Sequence, residues 1–330
     1  MKKISIAVSI LFVFITGLAV LSLFILNDYI YSPNDLNKNT TVILSKGSSL
    51  NQITDLLVEN GIISKPRLFA IYSIIKKQNR QLKAGEYLFL PHATPNDVIQ
   101  QIAKGDIVVH KMTIVEGTTT KDIIKSLKNN KLLSGEIATK PEDGVLFPST
   151  YCYTYNDSRE LILKNILNEM KSKIDKLWNE RSPKVKLKSH KEAVILASIV
   201  EKEAANDQEK PLVAAVFHNR LQKKIRLQAD PTITYALMKD YKIDRRILTK
   251  ADLDLDTPYN TYKYRGLPPT PICNPGAKSM HAALHPADTD YLFFVSDGNG
   301  GHIFSKNYKE HAQNHNNLRK LRKELSEEQK

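Results

Sequence analysis

The chain has 330 residues, of which 42% are hydrophobic and 25% charged, so we expect about two modest folded domains and exclude wholesale disorder. With 13 glycines, 15 prolines and two cysteines, it is neither collagen-like nor a disulfide-stapled miniprotein nor a Cys-rich zinc fold. The net charge of +13 fits nucleic acid, phospholipid head groups or an acidic wall polymer as surroundings, unless it is only a lysine-rich solvated surface.

An uncharged apolar run occupies Ile4–Leu26, directly after Lys2 and Lys3. As a helix this run is about 35 Å long, which is enough to span a bilayer. No small-residue cleavage site follows it, so we predict an uncleaved transmembrane anchor rather than a secretory signal. The basic residues 1–3 should form a cytoplasmic tail, and everything after the anchor should lie outside the membrane. That location argues against nucleic acid as the polyanionic partner.

A polar segment, residues 27–40, is predicted to be a linker. One pattern then occurs three times, at Val42–Leu57, Tyr87–Ile102 and Met112–Leu127. Each copy has a short strand, a bend, a Ser or Thr cap and an amphipathic helix. The caps are Ser49, Thr94 and Thr119, and the matching inward positions are Ile53, Val98 and Ile123. A further helix at about Pro66–Lys77 separates the first two copies, which indicates a small α+β subdomain.

The second half of the chain reads as helices followed by a proline-rich loop. Apolar spacing predicts helices at Ser158–Trp178, Lys191–Ala205 and Pro211–Lys223. After Asp256, five prolines and three tyrosines indicate an ordered loop with a binding role. The segments Tyr291–Ser296 and His302–Ser305 should form a hairpin, and a basic helix should occupy residues 307–330. The predicted fold class is therefore α+β, with an N-terminal transmembrane helix and two soluble parts.

The helix at Lys191–Ala205 is apolar all round until it reaches Glu201-Lys202-Glu203. Steps of four residues from Ala193 lead to Glu201 on the buried face, whereas Lys202 and Glu203 are expected to face water. Partial burial and the negative end of the helix dipole both favour a neutral carboxylic acid at Glu201. Such a group suits general acid catalysis, although a structural glutamate near a helix end is the simpler interpretation.

Other constellations are less informative. His281 and His285 lie four residues apart, but their neighbours offer no further ligands, so we expect no metal site. Cys152 and Cys273 could pair in an oxidising compartment, but free, buried thiols are the preferred interpretation. No phosphate-binding loop or serine nucleophile motif is present in the sequence.

The stretch ASIVEKE at Ala197–Glu203 resembles the helix that carries the catalytic glutamate in the endolytic murein transglycosylases, the YceG-like family. Asp143–Tyr151 also resembles a family stretch, although Ser149 stands where the family has Asp. Further similar stretches follow in the family's order: VFHNRL, LQADPT, YNTY, GLPPTPI, NPG, HP and YLFFV. The resemblance covers nearly the whole chain, including the anchor.

The resemblance implies a single-pass protein of the inner (cytoplasmic) membrane, with its catalytic part in the periplasm or otherwise outside the cytoplasm. It implies a LysM-like subdomain over residues 41–107 and a catalytic domain over 108–330. The substrate would be peptidoglycan glycan strands. Family members cut the β-1,4 bond between N-acetylmuramic acid and N-acetylglucosamine within strands, without water, and leave 1,6-anhydro ends. The resemblance further implies termination of nascent strands beside peptidoglycan synthases, and no cofactor or metal is expected.

In this assignment Glu201 first protonates the leaving oxygen and then accepts the proton of the muramic C6 hydroxyl as it attacks C1. The substrate's own acetamido group would stabilise the sugar cation. Asp230 is the candidate second carboxylate, or else a turn residue before Pro231. The residues expected to bind glycan are Gln228, Asp230, Tyr259, Asn260, Tyr262 and Asn219; the alternative for the loop residues is that they pack the loop against the core.

Two other functions stay open at this point. One is a water-using muramidase with Glu201 and Asp230 as its pair of carboxylates. The other is a non-catalytic wall-binding scaffold in which Glu201 is structural.

Overall fold

A computed structural model describes residues 2–243 and 247–328. Met1 of the predicted cytoplasmic tail and the last two residues of the predicted C-terminal helix lie outside this range. The strands within it are β1 (Thr40–Leu44), β2 (Gly85–Phe89), β3 (Val109–Thr113), β4 (Thr150–Thr154), β5 (Phe293–Ser296) and β6 (His302–Ser305). The helices are α1 (Lys2–Tyr31), α2 (Leu50–Glu59), α3 (Pro66–Ile75), α4 (Pro95–Lys104), α5 (Thr120–Asn129), α6 (Arg159–Asn179), α7 (His190–Glu203), α8 (Lys210–Gln222), α9 (Asp230–Ala236), α10 (Lys250–Leu253), α11 (Ala277–Leu284) and α12 (Tyr308–Glu328), and a π-helical turn spans Leu237–Tyr241.

This mixed α and β content confirms the predicted fold class. The strands form two-stranded sheets, β1 with β2, β3 with β4, and β5 with β6. The chain divides into two compact units, and the division passes through β3 and β4. The first unit comprises Met1–His110 and Cys152–Asn156, and the second comprises Lys111–Tyr151 and Asp157–Lys330. The predicted boundary at residue 107 lies three residues before the observed division, and the LysM-like label for the first unit stays a prediction.

Helix α1 is longer than the sequence suggested. Its Ile6–Tyr31 portion is the one helix of the described chain that is long and apolar enough to cross a membrane. The predicted linker was expected to begin at Asn27, but the helix runs on to Tyr31. Tyr29 and Ile30 are buried in the hydrophobic core of the first unit. The start of the linker is therefore corrected: packing of these two side chains keeps the polar-looking segment helical, and β1 follows only at Thr40.

The three repeated segments fold as their caps predict. Ser49 and Thr94 each form a reciprocal capping box, with Gln52 and Asp97 respectively. Thr119 accepts a hydrogen bond from the backbone N–H of Asp122. These caps satisfy amide groups that a helix start leaves without partners. The predicted inward residues are buried in all three helices: Ile53, Val98 and Ile123.

The second unit is built around α7. Every residue from Ala193 to Val200 is buried, and α11, α8, α6 and α9 pack around this helix. Asn274, which has no exposed surface, ties the loop before α11 to the rest. Its Oδ1 accepts hydrogen bonds from the N–H groups of Gly144 and Leu146, at 3.0 and 2.9 Å. Its Nδ2 donates to the carbonyl oxygen of Thr118, at 2.9 Å. Asn274 thus joins the loop before α11 to the segments that contain Thr118 and Gly144.

Candidate active site

The two glutamates at the end of α7 point to different sides of the helix. The helix begins after the cap Ser189 and ends at Glu203, with Ala204 as its C-cap. Residues two apart on a helix lie on nearly opposite faces. Both carboxylates are only partly exposed, and they lie in different surroundings.

Glu201 lies in an ion pair. Its side chain is 8% exposed, and the Nζ of Lys210 donates to its Oε1 at 3.2 Å. Its Oε2 accepts a hydrogen bond from the backbone N–H of Gly276, at 2.8 Å. Gly276 caps the N-terminus of α11, so this carboxylate joins α7, α8 and α11. Both carboxylate oxygens of Glu201 therefore have partners within the protein.

Lys210 is the centre of this polar cluster. Its Nζ also lies 3.0 Å from Asp207 and 3.9 Å from Glu116. Burial favours a lower pKa for Lys210, but the hydrogen bond to Asp207 and the charge of Glu201 outweigh it and raise the pKa. A Cβ on Gly276 would lie 1.8 Å from Glu116 Oε1, so only glycine allows the carboxyl group to approach this closely. The cluster is therefore tightly packed, with one ammonium group among three carboxylates.

Glu203 lies in different surroundings. It borders a cavity of ≈ 380 Å³ that brings together α7, α8, the loop before α9, the proline-rich loop, β5 and α12. Glu201 is not among its lining residues, which are Glu203, Arg220, Leu227, Gln228, Asp230, Tyr262, Phe293, Phe294, Tyr308 and His311. Lys202 is exposed, as expected, whereas Glu203 is only partly exposed, because segments far along the chain cover part of that side of the helix.

The surroundings of Glu203 favour its protonated form. Burial raises its pKa to about 8, and the negative charge of Asp230 adds to the increase. The charge of Arg220 and a hydrogen bond donated by the backbone N–H of Asp230 oppose the increase without cancelling it. Glu203 therefore carries a proton at neutral pH, which is the state that a general acid requires.

The charge of Arg220 only partly offsets the effect of burial on the pKa of Glu203, and the guanidinium also binds backbone carbonyl groups. Its Nε donates to the oxygen of Leu292 at 2.6 Å, and its Nη1 donates to the oxygen of Leu227 at 2.7 Å. The guanidinium carbon also lies 5.1 Å from the centre of the Phe293 ring. Arg220 thus joins the hairpin to the loop before α9 and places a positive charge beside the cavity.

Two loops form the polar edge of the cavity. The hydroxyl of Tyr262 donates a hydrogen bond to Asp230 Oδ1, and burial, followed by this bond, raises the pKa of Tyr262. Gln228 has a backbone φ of 50°, in the left-handed region that non-glycine residues rarely adopt. Its N–H donates to the oxygen of Thr261 at 3.1 Å, so the second loop holds this strained residue in place. Strain of this kind is often found at functional sites.

The similarity of this chain to known proteins extends over the cavity. The YceG-like family matches residues 42–317, which includes every residue of the cavity. The chain belongs to the YceG-like family.

Named relatives fall in the same group. An endolytic murein transglycosylase of Bacillus subtilis (strain 168) is 32% identical over 87% of this chain and 88% of its own length. A protein of the same name from Streptococcus pneumoniae serotype 2 is 26% identical over 86% of this chain, which spans 59% of that longer protein. The crystal structure of a putative yceG-like protein from Listeria monocytogenes is similar with a TM-score of 0.53 and 30% identity, and covers 84% of this chain and 99% of its own.

Within the YceG-like site, the expected glycan-binding residues separate into two groups. Gln228, Asp230 and Tyr262 line the cavity with Glu203. Asn260 has no exposed surface; its amide donates to the carbonyl oxygens of Leu253 and Leu255, at 2.9 and 2.7 Å. Its Oδ1 accepts from the N–H of Tyr262 at 2.9 Å. This geometry favours the packing alternative for Asn260, which positions Tyr262.

Tyr259 and Asn219 also have structural contacts. Tyr259 is 4% exposed, and its hydroxyl is bonded to Lys239 and Thr270, both at 2.7 Å. The amide of Asn219 donates to the carbonyl oxygens of Thr289 and Tyr291, at 2.7 and 2.9 Å. Both side chains therefore hold the loops that frame the cavity.

Sequence reasoning missed Glu203, Arg220 and His311 as members of this site. Glu203 lies in the resembling stretch ASIVEKE and Arg220 lies in VFHNRL, so both are within motifs already noted. His311 carried no such signal. Its ring stacks on Phe293 with 5.2 Å between ring centres, and burial, helped by the charges of His315 and Arg220, lowers its pKa. It therefore presents a neutral imidazole to the cavity at neutral pH.

The remaining candidate ligands do not form a metal site in the described part of the chain, where no group of three or more His, Cys, Asp or Glu side chains could hold an ion. The rings of His281 and His285 stack with 4.3 Å between centres. Both cysteines are free thiols; Cys273 is buried as expected, but Cys152 is exposed, because the strand β4 that carries it turns alternate side chains outward.

The raised pKa of Glu203 makes a prediction for stability. Between pH 4.5, the ordinary value, and about pH 8, the unfolded chain has released this proton and the folded chain retains it. The free energy of unfolding therefore falls as pH rises through this window. Glu203→Gln removes the ionisation, so its melting temperature should rise relative to that of wild type between about pH 5 and about pH 9. Melting curves across this range measure the difference.

Glu201→Gln is the control for this comparison, since it changes a carboxylate on the same helical turn that is already ion-paired. The melting temperature of Glu201→Gln relative to wild type should not rise with pH across this range. If the difference in melting temperature between Glu203→Gln and wild type stayed constant with pH, the raised pKa would be contradicted.

Proposed function

We propose that this chain is a lytic transglycosylase that cuts the β-1,4 bond between N-acetylmuramic acid and N-acetylglucosamine within peptidoglycan strands. Glu203, rather than the expected Glu201, serves as its general acid and base. The observation that carries the proposal is a carboxyl group that keeps its proton up to about pH 8 in a cavity lined by Gln228, Asp230 and Tyr262. The relatives' name, endolytic murein transglycosylase, supports the substrate and the type of reaction.

The reaction needs one group that first gives and then takes a proton. The protonated Glu203 donates to the glycosidic oxygen as the bond from C1 of N-acetylmuramic acid to that oxygen breaks. The C6 hydroxyl of the same sugar then attacks C1, and the Glu203 carboxylate accepts its proton. One bond is exchanged for another, no water is consumed, and the glutamate returns to its starting state. A pKa near the working pH suits both steps.

The other cavity residues stabilise the charge that develops on the sugar ring. Asp230 lies close enough to Glu203 to raise its pKa, so its carboxylate also faces the region where a positive oxocarbenium forms. The hydroxyl of Tyr262 fixes the orientation of Asp230. The aromatic rings of Phe293 and Tyr308 also line the cavity and offer apolar faces for sugar stacking. This set of groups matches a neutral glycan with a cationic transition state.

The first test of the proposal compares two isosteric variants of adjacent carboxylates. Glu203→Gln should lower kcat on purified glycan strands by about 10²–10⁴-fold, because it removes general acid and base catalysis. Glu201→Gln should retain much more activity, with its main effect on melting temperature, since it breaks an ion pair. For the wild-type enzyme, kcat/KM should decrease above about pH 8 as Glu203 loses its proton.

If Glu201→Gln lowered kcat more than Glu203→Gln did, on folded protein at equal concentration, the assignment would return to Glu201. Circular dichroism and melting curves establish that each variant is folded. If Glu203→Gln turned over at near the wild-type rate, Glu203 would have no role in the chemistry.

A second prediction concerns the product. Attack by C6 gives a 1,6-anhydro end, whereas a water-using muramidase with Glu203 and Asp230 as its pair would give a reducing end that is one water heavier. We expect anhydro ends in the mass spectrum of digested glycan. Incorporation of oxygen from ¹⁸O-labelled water at the new end would instead support the muramidase.

We further propose that α1 anchors the protein in the cytoplasmic membrane with residues 1–3 inside and the cavity outside. The apolar Ile6–Tyr31 helix and the two lysines before it support this orientation. The anchor would keep the cavity beside the membrane, where strands are made, and cleavage there would end nascent strands next to the synthases. Full-length glycan strands should therefore be longer in cells that carry Glu203→Gln.

The anchor itself is tested by fractionation. The full chain should stay in the membrane pellet after an alkaline carbonate wash, because about 20 apolar residues bind the bilayer too strongly to be released. In spheroplasts or protoplasts, external protease should remove the C-terminal part. Recovery of the full-length chain in the soluble fraction would overturn the anchor, and protection from external protease would overturn the orientation.

A further inference from the structure

A second cavity in the same unit carries an excess of positive charge. It has a volume of ≈ 520 Å³ and is formed by α5, the segment 137–143, α9 and the π-helical turn. Four lysines line it: Lys121, Lys128, Lys140 and Lys239. The acidic lining residues are Glu142 and Asp143, so the cavity is cationic overall.

The cations of this cavity are available, whereas one of its two acids is not. Among the side chains that the structure describes, no carboxylate forms an ion pair with any of the four lysines. Asp143 accepts hydrogen bonds from the N–H of Thr120 and the hydroxyl of Tyr235, both at 2.6 Å. Both carboxylate oxygens of Asp143 are thus hydrogen-bonded to groups of the protein itself. An anion that entered the cavity would meet lysine ammonium groups without having to displace a protein carboxylate.

This basic cavity shares two walls with the cavity of Glu203. Asp230 opens α9 and lines the Glu203 cavity, and Tyr235, on the same helix, lines the basic cavity. At ~1.5 Å rise per residue these positions are about 8 Å apart along the helix axis. The second wall is the proline-rich loop: Tyr262 lines the Glu203 cavity, and the Tyr259 hydroxyl bonds to Lys239 of the basic cavity. A single branched ligand could reach both.

We propose that the basic cavity binds carboxylate groups of the peptide branches of the same glycan strand whose sugar backbone lies in the Glu203 cavity. The inference rests on the proposed function, since it deepens the choice of substrate for that site. Peptidoglycan is a neutral polysaccharide that carries short peptides with free carboxylates on its muramic acid residues. Lysine suits such a branch, because its flexible stem and compact charge tolerate varied carboxylate positions. The cavity therefore selects peptide-bearing strands over bare ones.

The effect should appear in binding and not in the chemical step. Charges at the edge of a site act on association and specificity more than on the reacting bond. For the wild-type chain we expect KM to be about fivefold lower on strands with free peptide carboxylates than on the same strands after carbodiimide amidation, with similar kcat. The preference should weaken with added salt, because exposed charges are screened.

The test variant is the triple change Lys121→Gln, Lys128→Gln and Lys140→Gln, which leaves Lys239 and its contact with Tyr259 in place. The matched control changes three exposed lysines outside the cavity, Lys176→Gln, Lys223→Gln and Lys224→Gln, and so removes the same net charge. Both full-length variants and the wild type are assayed on free and amidated strands, with melting temperatures measured for each.

The proposal expects the triple variant to lose the roughly fivefold difference in KM between the two substrates while kcat on amidated strands stays at the wild-type value. The control should keep the difference. The proposal is overturned if the cavity variant retains the preference, if the control loses it equally, or if wild type shows none. Wild-type cleavage of amidated strands reports on the proposed function separately, since loss of all cleavage on both substrates would count against that function instead.

Discussion

The burial of α7 on all sides is the constraint on which the rest of the second unit depends. Eight consecutive buried residues leave no solvent-facing stripe, so charged side chains are accommodated only before and after them, as in the last turn of the helix. There the chain places two glutamates on nearly opposite faces, and each must find a partner or keep its proton. The surroundings differ on the two sides, so that Glu201 lies in an ion pair whereas the pKa of Glu203 is raised.

The two surroundings have opposite energetic consequences. Glu201 receives an ammonium and a backbone N–H, and its charge contributes to cohesion between α7, α8 and α11. Burial and the charge of Asp230 make ionisation of Glu203 unfavourable, and the charge of Arg220 offsets this only in part. Active sites commonly keep such unfavourable groups because the reaction needs them, and the surrounding fold must be stable enough to hold them in place.

Features set by local sequence were predictable, and those set by distant segments were not. The caps at Ser49 and Thr94, the apolar run of α7 and the β5–β6 hairpin depend on neighbours within a few residues, and their positions were predicted closely. The cavity beside Glu203 was not, because helical spacing favoured Glu201 and says nothing of what Arg220, Asp230 and α12 bring to the other face. Asn260 was taken for a ligand group since its motif was recognisable, whereas only the folded loop shows its amide bonded to backbone.

The continuity of α1 with the first unit has a mechanical consequence. A flexible linker of a dozen residues would let a tethered domain sample a wide volume above the bilayer. Here Tyr29 and Ile30 belong both to the helix and to the core of the first unit, so the helix enters that unit as a stiff stalk. A stalk restricts the height and tilt of the first unit to a narrow range, which raises its effective concentration for targets at that height and excludes those farther out.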